Sequence, residues 1–167
     1  MAGGGATVRR MPGYRRVLGV AMDNRVDLPG YKYYRRPDGS RPAVYVAFAD
    51  LVAYTGGPPV NGVCVRVDPD ELPALDARER NYDRCDMTHL LADPPGLTWM
   101  YLGSIAGHER LAHARESGTA VVARSYLTTV ESGFRALGPS ELTAFRRSTD
   151  FGAVTVEELE RFDLPPG

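Results

Sequence analysis

Residues 71–84 read ELPALDARERNYDR and put a carboxylate where an apolar side chain is expected. Asp68 is a good N-cap, Pro69 suits the first helical position, and Glu71 follows three residues after the cap. Together they predict a helix over 69–79. Leu72 and Leu75 form its apolar stripe. At about 100° per residue, Glu79 falls about 20° from Leu72 and about 40° from Leu75, so it extends that stripe. Partial burial disfavours the charged carboxylate, and a last-turn position sets it near the negative end of the helix dipole. Both effects help Glu79 hold a proton, which suits a general acid/base. The competing reading is a rim residue paired with Arg84 or another arginine.

Other chemistry-bearing patterns are weaker. Gly103–Gly107, GSIAG, stands before a helical pattern and could cradle an anion. It is too short for a P-loop, lacks the following lysine and is not a G-x-S-x-G elbow, so it reads as a strand-to-helix turn. His108 and His113 are five apart and do not share a helical face, and His89 is remote, so no metal-ligand spacing emerges. No dinucleotide fingerprint is present, and no spacing signals a Ser-His-Asp set. Cys64 and Cys85 lack a C-x-x-C partner and read as free thiols, with Cys64 packed inertly in a strand.

The elements that must position Glu79 follow from hydrophobic period and turn residues. Strands are expected at 14–23, 31–36, 42–52 and 60–67, separated by the DLPG, RPDGSRP and Gly/Pro-rich turns. Further strands are expected at 82–91 and 97–106, around DPPG. Helices follow at 108–118, 120–138 and 139–148. The long one carries a stripe of Val122, Tyr126, Val130, Phe134 and Leu137. The tail from Val154 reads as a short strand or docking segment. Strands first and helices later predict an α+β fold, a small mixed β-barrel or curled sheet with flanking helices. Residues 1–13 read as a Gly-rich flexible leader, and 14–167 as a single domain.

The chain has 167 residues, 43% hydrophobic and 25% charged, as in an ordinary globular domain. Its first 42 residues carry nine basic and three acidic side chains, the remainder eleven and eighteen. The tyrosine-interleaved basic stretch YKYYRRPDGSR matches no nucleic-acid motif and reads as a solvated surface. No apolar run reaches membrane-spanning length and no secretion signal is visible, so the expected location is cytoplasmic, with no membrane or nucleic-acid partner.

The block VNGVCVRVDPDELPALDARERNYDR resembles the gamma-glutamylcyclotransferase-like family. The likeness rests on Val60 and Gly62 of V-x-G, on Leu75, Asp76 and Glu79 of L-D-x-x-E, and on Tyr82 and Arg84 of the Tyr-x-Arg segment. ARSYL at 123–127 is similar to the family's later tyrosine segment, and RRVLGVAMDNRVDLPGYKYY to the early part of a bacterial subgroup. The resemblance implies a small mixed barrel with a cavity and Glu79 as general acid/base. It implies substrate contacts from Tyr82, Tyr126, Gly62 and Asn24, with no metal or cofactor. The implied substrate is a γ-glutamyl amine or related amide. Its α-amine attacks the γ-carbonyl, closing 5-oxoproline and releasing an amine. The family's Y-G-S-x loop has no counterpart before Tyr14, and YLGS at 101–104 follows the glutamate, so it is not assigned that role. A cavity without the loop is open on one side. The competing expectation is a binding barrel that keeps the cavity without the chemistry. A basic adaptor for nucleic acid or protein comes third.

Overall fold

The structure, a computed structural model, describes residues 6–167. In chain order its elements are β1 (Thr7–Met11), β2 (Tyr14–Asp23), β3 (Lys32–Arg35), β4 (Tyr45–Ala53), β5 (Val60–Cys64), α1 (Leu72–Arg78), β6 (Tyr82–Asp86), β7 (Trp99–Gly103), α2 (Ile105–Glu116), β8 (Ala120–Ala123), α3 (Arg124–Ala136), α4 (Pro139–Arg147), β9 (Thr155–Glu157) and β10 (Glu160–Asp163). The class is α+β.

The described strands do not close into a barrel. They form one four-stranded sheet, ordered β2-β4-β8-β9, and three two-stranded ribbons, β1-β5, β3-β10 and β6-β7. The β2/β4 pair is antiparallel, whereas β8 runs parallel to both β4 and β9. The central strands bury both faces of the sheet, with a register irregularity in β2 between Leu18 and Val20. Val20, Met22, Val46, Phe48 and Val121 pack on one face with Tyr34 and Leu159. Leu18, Ala21, Ala47 and Val122 pack on the other, against Leu111 of α2. The small residues Ala21 and Ala47 let α2 lie close to the sheet. Gly107 does the same, since a methyl group there would come within 2.8 Å of Asn81 O and 2.9 Å of Val20 Cγ1.

Several expectations are corrected. Of the leader expected at 1–13, residues 1–5 lie outside the described residues, and Thr7–Met11 is a strand. Met11 is buried beside Val60 and Met87, and Arg10 donates two hydrogen bonds to Glu141 at 2.6 and 2.7 Å. Such long-range anchors leave no local pattern. The helix expected over 120–138 begins with strand β8, so Val122 lies in the sheet rather than on a helical stripe with Tyr126. AVVA is a short apolar run buried on both faces, which carries no period to separate strand from helix. The strand expected at 60–67 ends at Cys64, and Val63 within it and Val65 beyond it are both exposed. The run from Tyr82 stops at Asp86 and bends into a 3-10 turn at Thr88–Leu90, while α2 takes over at Ile105. GSIAG makes that strand-to-helix turn, with Ser104 capping α2 by accepting from Gly107 N–H at 3.1 Å.

Candidate functional site

Glu79 sits at the junction of α1 and β6. Helix entry is a 3-10 turn at Pro69–Glu71, where the Glu71 side chain accepts from Asp68 N–H at 3.0 Å. Glu79 itself closes the helix. Its N–H donates to Leu75 O at 3.0 Å, and its ψ of 58° turns the chain out of the helix. The Tyr82 N–H then donates to Glu79 O at 3.0 Å, so the glutamate and the first residue of β6 are fixed to one another. The Glu79 side chain is 27% exposed and its Oε1 lies 3.2 Å from Arg78. Arg84, the partner considered from sequence, instead grips Asp76 with two bonds of 2.9 and 3.2 Å. Tyr101 of β7 donates to the same carboxylate at 2.7 Å. Asp76 and Arg84 are thus a clamp that ties α1 to the β6–β7 ribbon and sets the direction of the turn carrying Glu79.

An aromatic cluster stands beside that turn. The Tyr82 hydroxyl donates to Ala49 O at 2.7 Å, and Ala49 N–H donates to the Tyr126 hydroxyl at 3.0 Å. Both phenols therefore meet on one peptide residue of β4. Phe48 meets Tyr126 edge to face at 5.2 Å, and Lys32 Nζ lies 4.2 Å from the Phe48 ring centroid and 5.3 Å from that of Tyr31. Buried Asn81 donates to the Tyr31 hydroxyl at 3.1 Å and accepts from Arg110 at 2.8 Å.

The electrostatics join these groups to Glu79. Burial pushes Tyr31 up to about 12, and the Glu79 charge adds to the rise. Burial likewise raises Tyr82 and Tyr126, and both feel Glu79. Lys32 moves the other way: burial holds its ammonium down at about 8, and the Arg161 charge lowers it further, while Glu79 and Asp163 oppose the fall.

Tyr82 and Tyr126 thus meet at Ala49, and the Glu79 charge acts on both, while the Glu79 carboxylate itself contacts Arg78. Asn24 and Gly62 lie elsewhere. Asn24 is fully buried, donates to Tyr34 O and Pro42 O, both at 3.0 Å, and accepts from Tyr34 N–H at 2.8 Å. It pins the end of β2 to β3. Gly62 pairs with Arg9 in the β1–β5 ribbon, with no heavy atom within 4 Å of where a methyl group would stand.

A second constellation has no sequence signature. His108 Nε2 lies 2.7 Å from Asp50 Oδ2, and the Asp50 side chain is only 1% exposed. The other carboxylate oxygen accepts from Leu51 N–H and Gly103 N–H, both at 2.8 Å. Two glycines make room for the pair. The irregular register between Leu18 and Val20 sets Gly19 beside Asp50, where a methyl group would come within 2.6 Å of its Cβ. A methyl group on Gly103 would collide with both Asp50 Oδ2 and His108 Nε2. His108 borders an open cleft of about 450 Å³ that Leu18, Val52, Leu111, Arg115 and Phe151 also line. The spacing of the histidines says nothing of this couple, because the partner of His108 on α2 stands 58 positions away on β4.

Comparison with protein-family models, curated proteins and solved structures finds no match.

Proposed function

We propose that this chain is a cyclotransferase of the gamma-glutamylcyclotransferase type, with Glu79 as its general acid/base. The observation that carries the reading is the clamped turn: Asp76, Arg84 and Tyr101 hold α1 against β6–β7, and Glu79 emerges from that joint beside Tyr31, Lys32, Tyr82 and Tyr126. The motif L-D-x-x-E with Tyr-x-Arg then has a physical meaning. Its aspartate and arginine are the clamp, and its glutamate is the group that the clamp aims.

In this reading the substrate is a γ-glutamyl amine or related amide. Glu79 accepts a proton from the α-ammonium, and the freed amine attacks the γ-carbonyl. In the tetrahedral intermediate Glu79 returns that proton to the leaving nitrogen as the C–N bond of the amide breaks, and the ring nitrogen then gives up a second proton, through Glu79, to the released amine. The products are 5-oxoproline and an ammonium, so both protons lost by the α-nitrogen leave on the departing nitrogen and no added reactant is needed. Because the attack is intramolecular, holding the substrate folded supplies much of the acceleration. We further propose that the β2-centred sheet with its ribbons is a divergent, open form of the family's barrel.

A second reading is a small-molecule-binding domain without turnover. It is favoured by the hydroxyls of Tyr82 and Tyr126, which are already engaged by the Ala49 backbone. One experiment separates the two. Purified protein is screened for 5-oxoproline release from γ-glutamyl amines and dipeptides, alongside Glu79→Gln. The enzyme reading expects turnover in wild type and a loss of about 10²–10⁴-fold in the variant, with ligand binding and fold kept. Binding without release in wild type selects the second reading.

A further inference from the structure

Lys32 is a half-buried cation without an ionic partner among the described residues. It opens β3, opposite Asp163 of β10, and its ammonium rests over the Phe48 ring at 4.2 Å. Four charged groups act on it: Glu79, Asp163, Arg78 and Arg161. The two carboxylates are already taken. Glu79 is paired with Arg78 at 3.2 Å and Asp163 with Arg161 at 2.8 Å. Three cations thus stand against two carboxylates, and Lys32 is the excess charge. Its other close neighbour is the Tyr31 ring at 5.3 Å, and the Tyr31 hydroxyl accepts from Asn81. Around Tyr31 the nearby charges of Arg80 and Arg110 are also positive.

A desolvated ammonium held only by aromatic faces is costly to keep, because the ring quadrupole replaces a small part of its lost hydration. An anion seated beside it would restore that loss with a charge-assisted hydrogen bond. Phe48 links the ammonium to Tyr126, and Tyr126 links through Ala49 to Tyr82, so such an anion would stand beside the tyrosine cluster, where the Glu79 charge is also felt.

We propose that Lys32 is the carboxylate-binding residue of this site, and that its ligands are small molecules bearing a free carboxylate. The inference rests on the cyclotransferase reading only for the identity of that carboxylate, which is then the α-carboxylate of the γ-glutamyl group. The ammonium anchors this end of the substrate while Glu79 serves the adjacent amine. The product retains the same carboxylate, so it too binds through Lys32.

The test needs no turnover. Binding of 5-oxoproline and of its neutral carboxamide is measured by calorimetry on wild type, Lys32→Met and Lys32→Arg. Wild type is expected to prefer the carboxylate by about 10–100-fold, the span of one charge-assisted hydrogen bond. Lys32→Met removes that preference and Lys32→Arg restores part of it. Calorimetry of wild type in buffers of different ionisation enthalpy adds a check without any substitution: near pH 8 to 9, carboxylate binding takes up a proton. Equal affinity for acid and amide, no detectable binding of the acid to wild type, or a preference that survives in folded Lys32→Met overturns the proposal. Carboxylate preference without 5-oxoproline release from any γ-glutamyl amine keeps the Lys32 assignment and removes the cyclotransferase reading. Release that is indifferent to Lys32→Met, on α-carboxylate and α-carboxamide substrates alike, does the reverse.

Discussion

Tyr126 and Tyr82 divide the polar groups of one residue between them, and the division has consequences. The Tyr126 oxygen accepts from Ala49 N–H, which leaves its own hydroxyl proton free to donate. Tyr82 spends its proton on Ala49 O. Of the two, Tyr126 is therefore the one able to donate to a ligand without giving up its backbone bond. Tyr126→Phe is expected to leave a half-buried N–H in the middle of β4 without its partner and destabilise the fold by about 1 kcal/mol, read from chemical denaturation. It should also weaken ligand binding. In Tyr82→Phe the unpaired group is a carbonyl, and ligand affinity should hold. Equal loss of affinity in the two variants would reverse this assignment of roles.

Among elements, the α1–β6–β7 unit decides where Glu79 points. Helix α1 has seven residues and none of them is buried, so packing alone holds it weakly. The Asp76 clamp supplies what the short helix lacks. Asp76→Ala should leave the sheet intact, since no buried core residue belongs to α1, and on the proposed cyclotransferase reading it should lower turnover more than global stability. Hydrogen exchange is expected to quicken at Glu79 and Tyr82 N–H while β2 and β4 amides stay protected. Uniform protection in the variant would show that the clamp is not what fixes the turn. Strand β4 serves two sites at once: Phe48 and Ala49 belong to the tyrosine cluster, and the next residue, Asp50, orients His108.

At the scale of the whole molecule, separate ribbons are joined to the central sheet by polar ties as well as by apolar packing. Arg16 is buried, donates to Asn61 O at 2.5 Å and Thr149 at 3.0 Å, and faces the Phe134 and Phe145 rings at 4.9 and 5.0 Å. Asn61 donates in turn to Glu141, which Arg10 also grips, so β1, β2, β5 and α4 share one network. Burial holds the Arg16 guanidinium down at about 10, still charged in the neutral range. Stability should vary with pH in three windows. On the acid side Asp76, Asp23 and Glu141 are held low by Tyr101, Arg25 and Arg10 respectively, so their contribution is present above the ordinary carboxylate range and is lost as pH falls through their lowered values. Lys32 is lowered from 10.5 to about 8, so the unfolded chain binds the extra proton between those values and stability rises with pH there, by at most about 3 kcal/mol. Above about 10 the sign turns, because Tyr31 and Tyr34 keep their protons to about 12 and the stability they confer is lost as pH climbs through that value. Thermal unfolding from pH 7 to 11 should therefore show a maximum near pH 10. Lys32→Met should flatten the rising limb and leave the fall. A rising limb of the same size in Lys32→Met would assign it to another group.

Much of the local structure was legible in the residues themselves. The apolar run within YRRVLGVAMD marked β2 at its observed bounds. Pro69 and Glu71 marked the entry to α1, and Leu75 followed by Glu79 marked the carboxylate at its end, because capping and helical period act over a few residues. Separate ribbons instead of a barrel, β1 within an apparent leader, and β8 within an apparent helix were not legible. Each depends on partners far along the chain: β5 for β1, and β4 and β9 for β8. The same holds for the site. Glu79 could be singled out by spacing, whereas its surroundings could not. The pairing of Arg84 with Asp76, the meeting of two phenols on Ala49, the Lys32 ammonium over the Phe48 ring and the Asp50–His108 couple arise from contacts between different elements. Local period and capping energies are written in neighbouring residues, while burial and charge pairing are set only when the sheet brings distant strands within a few ångströms of each other.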